Sequence, residues 1–334
     1  MAILTTPTTA ELASFVAAYP LEPLEKFRGI EAGTVITSFE LELELERERE
    51  GRRRRWFLRI YEEQDAAGAV REAAVLAHLA AHGLPTPAPI AARDGATMRL
   101  LAGKPAAIFP WVDGEMLCQR AVTVDAAAAV GAALARIHVA GHAPTAPLDA
   151  GRFDPAHLVT RCERVASSSD PEARALAGSL RDAMIRIAAS RRYDVPRGLI
   201  HGDLFRDNVL WSDDTSATGT GTCSSIAALL DFESAHDGPF AYDLAVTILA
   251  WSYGSKLDTD LAAAIVRGYR SVRELEAGDR EVLYDEAIFA ALRFTITRIT
   301  DDAIRVGKRW QRFVERREAI ERLGRHGFLE ALGL

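Results

Sequence analysis

Between Leu199 and Trp211 the chain reads "LIHGDLFRDNVLW", and this stretch limits what the rest can fold into. Two apolar ends enclose His201, Asp203, Arg206, Asp207 and Asn208. Polar groups taken out of water need partners, and charges need them more. The segment therefore cannot be ordinary core. It reads as a short strand at Leu199 and Ile200, a polar loop, and a second strand from Val209 to Trp211, a hairpin that holds a site.

Asp203 and Asn208 stand in the pattern D-x-x-x-x-N, and "ALLDFE" follows with Asp231 at the end of an apolar strand. Phosphoryl transfer needs this set of groups. One carboxylate accepts the proton of an attacking hydroxyl, while an amide and a second carboxylate hold Mg²⁺ on the nucleotide phosphates. Mg²⁺ takes a few oxygen ligands and keeps its waters, so one Asn and one Asp suffice when ATP supplies the rest. The bland alternative is a polar turn followed by an Asp that caps a helix. Order, spacing and apolar flanks together favour the chemical reading.

The flanking patterns predict an α+β chain in two lobes. Residues 8 to 18 form a short amphipathic helix after a Thr-rich start. From Leu24 to Tyr61 the apolar/polar alternation of "FELELELE" and the returning "RRWFLRIYE" predict strands. "AVREAAVLAHLAAHG" is a helix of good formers stopped at Gly83, and "ATMRLLAGKPAAIFPWVDG" is a hairpin through Gly103. After Gly114 the pattern turns helical, over 124 to 140, 155 to 168 and 171 to 191, with further helices beyond the motif. The domains expected are a small β-rich nucleotide-binding lobe over 1–110 and a larger, mainly helical catalytic and substrate-binding lobe over 111–334. The low-complexity run 215–225 is expected to close a hairpin.

Composition narrows the function classes. A net charge of -7 opposes a general nucleic-acid binder, whose affinity comes from neutralising phosphates. The basic run Arg52 to Arg55 is expected at the turn of a charged hairpin. Cys118, Cys162 and Cys223 are far apart, which points to neither a disulfide framework nor a thiolate metal site. No stretch has the length and apolarity of a membrane span, and no leader-like start is visible, so a cytoplasmic protein is expected.

The first lobe should carry a cation for the phosphates. Arg59, inside "WFLRIYE", either serves this role with Glu72 as its partner or lies on the solvent face of an alternating strand. Glu72 is likewise either that partner or a solvated helix residue. The glycine-bearing stretch around Gly33 could fold over phosphates, since glycine lets backbone N–H groups approach anions. Ile108 to Val112, with Phe109 and Trp111, could meet adenine. Asp243, in "GPFAYDLAV", either caps a helix or fixes the catalytic loop through its carboxylate. His138 and His142 are read as ordinary surface histidines, because no third metal ligand accompanies them.

Together these pieces resemble the aminoglycoside-phosphotransferase-type small-molecule kinases, and within them most closely the homoserine kinases. "IHGDLFRDNVLW" and "LLDFESAHDGPFAYDLAV" carry the wider resemblance; "GKPAAI" and "LRFTITRITD" point to homoserine kinase. The resemblance implies a bilobal protein-kinase-like fold, ATP and Mg²⁺ as cofactors, and a monomer or homodimer acting on a small molecule. It implies Asp203 as catalytic base with His201 in the same loop, Asn208 and Asp231 as Mg²⁺ ligands, and Asp243 as support of the loop. Glu233, where protein kinases have glycine, argues against a protein substrate.

Homoserine would need a guanidinium for its carboxylate and an acid for its ammonium. Arg293 and Arg298 are the candidates for the first, Glu233 and Asp237 for the second; helix arginines paired with neighbouring acids are the structural alternative. A choline-type substrate would call for an aromatic cage, and only 7% of the residues are aromatic. A polycationic aminoglycoside would call for many acids in the second lobe. A nucleotide-binding pseudokinase is the reading from another class, opposed by the intact Asp203, Asn208 and Asp231.

Overall fold

The computed structural model describes residues 4–30, 36–43, 55–62, 64–141, 148, 151, 153–212, 225–254, 256–301 and 310–334. The chain divides into two compact units, Met1–Asp113 and Gly114–Leu334. Gly33, His142, the basic run through Arg54, and residues 213–224 lie outside the described residues.

In the first unit, helix α1 (Thr9–Ala17) opens on a capping box between Thr8 and Glu11. Strands β1 (Leu24–Ile30), β2 (Ile36–Leu43) and β3 (Arg55–Tyr61) precede helix α2 (Ala66–Ala81), and β4 (Arg99–Leu101) and β5 (Lys104–Pro110) follow. They form one antiparallel sheet in the order β1-β2-β3-β5-β4. The alternation in β2 and β3 assigns its two faces. Phe39, Leu41, Leu58, Ile60, Ala106 and Ile108 pack with Leu12, Phe15 and Tyr19 into one core cluster. On the other face the register sets Ser38 beside Arg59 and Arg59 beside Ala107. The β4–β5 turn has positive φ at Ala102 (49°) and Gly103 (78°), as a two-residue hairpin with the twist of its strands requires.

In the second unit, α3 (Val124–Ala140), α4 (Pro155–Ala166), α5 (Pro171–Ala175) and α6 (Ala177–Ser190) come first; the helix expected over 171–191 is broken at Leu176. Then β6 (Arg197–Ile200), β7 (Val209–Ser212), β8 (Ser225–Leu229) and β9 (His236–Pro239) carry the motif segments. Helices α7 (Phe240–Trp251), α8 (Thr259–Arg270), α9 (Ala277–Thr300) and α10 (Gln311–Ala331) complete the unit. One expectation is corrected here. β6 and β7 do not form a hairpin around the motif: β6 pairs with β9, and β7 pairs with β8. The loop between them turns through a left-handed Gly202 and a 3-10 turn at Arg206–Asn208, so the chain is not returned against β6. The segment after "DFE" supplies β6 with its partner instead.

Two glycines set how closely α3 and α8 approach. A β-carbon on Gly131 would lie 2.0 Å from the Ile265 carbonyl oxygen, and one on Gly268 would lie 1.9 Å from that of Ala128. Backbone cannot yield as a flexible side chain can. Gly268→Ala is expected to cost at least the ~1–3 kcal/mol of an overpacked core. A denaturant titration checks this, and an unchanged midpoint would mean that the helices can separate freely.

Candidate active site

The site is built on the loop that leaves β6. His201 is fully buried, and Gly202 has φ 74° where a β-carbon would meet the Ser234 carbonyl oxygen at 2.9 Å. Both backbone N–H groups point at one carboxylate: His201 N donates to Asp243 Oδ2 at 2.7 Å and Gly202 N to Asp243 Oδ1 at 2.8 Å. Helix α7 begins at Phe240 with Pro239 as its cap residue, so Asp243 is not an N-cap. Of the two readings, the loop-holding one describes its contacts. Trp251 Nε1, at the far end of α7, donates to the Leu204 carbonyl at 2.9 Å and fixes the same loop again.

Behind Asp243 runs a buried chain of hydrogen bonds. His138 Nε2 lies 3.1 Å from Asp243 Oδ2, and His138 Nδ1 lies 2.7 Å from the Tyr269 hydroxyl. Arg273 Nη1 donates to that hydroxyl at 3.1 Å and to Asp279 Oδ2 at 2.8 Å. The partners assign the tautomer. Tyr269 accepts from Arg273 and donates to Nδ1, so the imidazole proton sits on Nε2 and is given to Asp243. Burial drives the His138 pKa down, which keeps the ring neutral. Burial pushes Asp243 the other way, but the His138 hydrogen bond, the neighbouring histidines and the Gly202 N–H hold it below the ordinary carboxylate value. The expectation of a surface His138 was wrong. Its position on the same helix face as Leu134 and Val130, both buried, was the signal that could have placed it in the core.

The candidate catalytic and metal-binding side chains lie beyond this support. Asn208 Nδ2 donates to the Asp203 carbonyl at 2.8 Å, which turns the amide oxygen away from the loop backbone. Leu230 N donates to the Asn208 carbonyl at 2.9 Å, so Asn208 and Asp231 come from segments that are tied together. Asp231 has φ 60° and ψ 69°, a left-handed conformation that costs a non-glycine residue about 1–3 kcal/mol and collects at functional sites. The ring of His201 gives Nε2–H to the Leu230 carbonyl at 3.0 Å and accepts from Asp203 N at 3.3 Å. Its role is therefore to brace the two segments, Leu230 and Asp203, against each other.

Arg293 is buried on α9, and its Nη1 lies 3.3 Å from Asp203 Oδ1. Its guanidinium also covers the rings of Phe153, at 4.1 Å, and Phe294, at 3.9 Å. Arg298, one turn and a half further along, is half-buried, as is Glu233 in the 3-10 turn after Asp231. Asp237 pairs with Arg197 across the β6–β9 ladder at 3.0 Å, which accounts for its carboxylate without a ligand. In the first unit Arg59 Nη1 meets Glu72 Oε1 at 2.8 Å, with both side chains out of solvent. Arg59 is thus not on a solvent face. Phe109 shares its sheet face and meets Phe57 edge to face, while Trp111 lies under the Arg55 guanidinium at 4.8 Å.

An antiparallel five-stranded sheet, a helical unit, and a clamped loop carrying Asp203 and Asn208 next to an Asp-Phe-Glu turn define a small-molecule kinase of the protein-kinase-like fold. The chain belongs to the phosphotransferase enzyme family, whose description matches residues 44–282. It is 35% identical over 306 residues to a protein of Acidiphilium cryptum named homoserine kinase, covering 90% of this chain and 89% of that one. Among solved structures, an amicoumacin kinase hAmiN in complex with AMP-PNP, Ca²⁺ and its ligand superposes with a TM-score of 0.67 at 15% identity, covering 93% of this chain and 92% of the other. A microcompartment-associated aminopropanol kinase superposes at 0.66 and 19% identity, over 97% and 100% of the two chains. No helix among the described residues is long and apolar enough to cross a membrane.

Proposed function

We propose that this chain transfers the γ-phosphoryl group of ATP to the side-chain hydroxyl of L-homoserine, with Mg²⁺ as cofactor. The observation that carries the phosphotransfer reading is the bond between Leu230 N and the Asn208 carbonyl, which joins the two oxygen donors, Asn208 and Asp231, beside a held Asp203. Homoserine as acceptor is supported by the named relatives that match nine-tenths of the chain.

The donor set fits a hard cation. An amide oxygen and a carboxylate are what Mg²⁺ accepts, so Asn208 and Asp231 would hold the ion, with phosphate oxygens of the nucleotide as further ligands. When bound, the metal neutralises charge on the transferring phosphate. Asp203 takes the proton of the substrate hydroxyl as its oxygen bonds to the γ-phosphorus and the bond to the bridging oxygen of ADP breaks. Arg293, with Nη1 3.3 Å from Asp203 Oδ1, holds that carboxylate in place. Asp243 and His201 keep the loop rigid, so the barrier falls through positioning and charge stabilisation. In the first unit we assign Arg59, aligned by Glu72, to the phosphates, and Phe109 and Trp111 to the adenine region.

ATP turnover over a panel of hydroxylated metabolites tests the reading. L-Homoserine should be phosphorylated with the highest kcat/KM, ahead of choline, ethanolamine, 3-aminopropan-1-ol and aminoglycosides. A better turnover of any of these would replace homoserine as acceptor. No turnover of any, with ATP still bound, would return the chain to the pseudokinase reading.

A further inference from the structure

His236 opens β9, three residues after Glu233, and the transfer of the phosphoryl group gives it no direct role. Its Nδ1 lies 2.7 Å from the Ser234 carbonyl and donates to it, so Nε2 of the neutral ring carries no proton. Burial drives its pKa down, which keeps the ring neutral. The imidazole fills space that two glycines leave. A β-carbon on Gly151 would fall 2.4 Å from Nε2 and 2.5 Å from Cδ2, closer than real atoms approach. One on Gly202 would fall 3.6 Å from Cε1, an ordinary contact. The ring thus lies against the residue that precedes Asp203 and also against backbone from the connection between α3 and α4. Only glycine at 151 lets it come so close.

The same connection holds Arg293. Two residues past Gly151, the ring of Phe153 lies under the Arg293 guanidinium at 4.1 Å, and Phe294 meets it at 3.9 Å. Hydrogen bonding to this guanidinium is sparse. Its Nη1 meets Asp203 Oδ1 at 3.3 Å, and its buried Nε has no partner among the described residues. Arg191, by contrast, gives its Nε to both oxygens of Glu286, at 2.9 and 3.1 Å. A ring face fixes a cation less sharply than paired hydrogen bonds do. Phe294 is the neighbour of Arg293 on α9 and moves with it, whereas Phe153 comes from another segment. The place of Arg293 therefore depends on the place of Phe153.

We propose that His236 is a positioning residue for the proton acceptor. Its ring seats Gly151, the seat sets Phe153, Phe153 holds the Arg293 guanidinium, and Arg293 aligns the Asp203 carboxylate. This rests on the phosphotransfer reading above and deepens it, because it names a residue that acts on the chemical step without touching nucleotide or acceptor. A misplacement of about 1 Å in a positioning group can cost about 10²-fold in rate, so a loosened seat should show in kcat.

The experiment uses the full chain with ATP, Mg²⁺ and the acceptor of highest kcat/KM in the panel above. His236→Ala removes the ring, and Gly151→Ala drives a β-carbon into it. Each should lower kcat by about 10–10²-fold and leave the KM for ATP within about 2-fold. In the double variant the missing ring makes room for the β-carbon, so its loss should match that of His236→Ala alone. Phe153→Leu should lose as much as His236→Ala, and Phe153→Tyr, which keeps the ring, should recover most of it. Additive losses in the double variant would overturn the proposal and leave the phosphotransfer reading in place. An unchanged kcat in His236→Ala, or equal falls in kcat and in affinity for ATP, would do the same. Should His236→Ala fail to fold, Gly151→Ala and Phe153→Leu decide, and wild-type kcat in either would overturn the seat. If the wild type turns over no hydroxyl compound, the phosphotransfer reading falls, and the coupling is read in stability instead. Gly151→Ala should then lower the melting temperature of the wild type but not that of His236→Ala; equal shifts in both backgrounds would overturn the seat as well.

Discussion

Asp203→Asn should retain nucleotide binding and lose turnover by about 10²–10⁴-fold, the usual worth of a positioned acid–base group. The substitution is nearly isosteric. The Asn208 amide bonds to the backbone carbonyl of residue 203, not to its side chain, so the loop should keep its shape. What disappears is the proton acceptor, together with the charge that Arg293 faces at 3.3 Å. Single-turnover rates with ATP and homoserine, next to equilibrium nucleotide binding, separate the two effects. A variant with wild-type turnover would remove Asp203 from the chemistry. Asp231→Ala is the useful contrast, since it should weaken Mg²⁺-dependent nucleotide binding as well as turnover.

The second large effect is expected at Asp243, which touches no substrate. Its carboxylate accepts from His201 N, Gly202 N and His138 Nε2, all inside the protein. Asp243→Ala leaves those three donors buried without their acceptor. Removing one partner from a buried charged network costs about 3–5 kcal/mol, a large share of what a domain has. Asp243→Asn should be only partly better, because its NH₂ must face one of the donors. Both variants should melt well below the wild type, and whatever folds should lose kcat more than affinity for ATP. A melting temperature within a degree or two of wild type would sink the clamp.

The same network fixes a pH dependence. The buried His138 and the half-buried His236 both titrate below the ordinary value of 6.5 in the folded protein, burial being the first cause in each. The unfolded chain therefore binds more protons than the native one as the pH falls through that value, and stability falls with it. Asp243 acts in the same direction at lower pH, since its folded pKa is depressed. Its contribution is lost as the pH drops through that depressed value.

The residues proposed for the chemistry stand out in order along the chain. Asp203, Asn208 and Asp231 announce themselves because local geometry requires those types at that spacing, between strands whose apolar flanks are visible. The five-stranded sheet was legible for a similar reason: a period of two separates the faces of β2 and β3 whatever packs on them. Even the Arg59–Glu72 pair could be anticipated, since an arginine among apolar strand residues demands an acid and the next helix offers one.

Tertiary structure alone decided the rest, and the reason is separation along the chain. Periodicity can put His138 on a buried face, but it cannot say that an Asp 105 positions later will receive its proton. The partner of β6 is β9 rather than β7 because ladder pairing depends on where the loop between them directs the chain. Arg293 faces Asp203 across 90 residues, while Nε and Nη1 of the buried Arg316 meet no hydrogen-bond partner among the described residues. Sequence shows arginines on two helices. Only their packing shows which of them meets an acid.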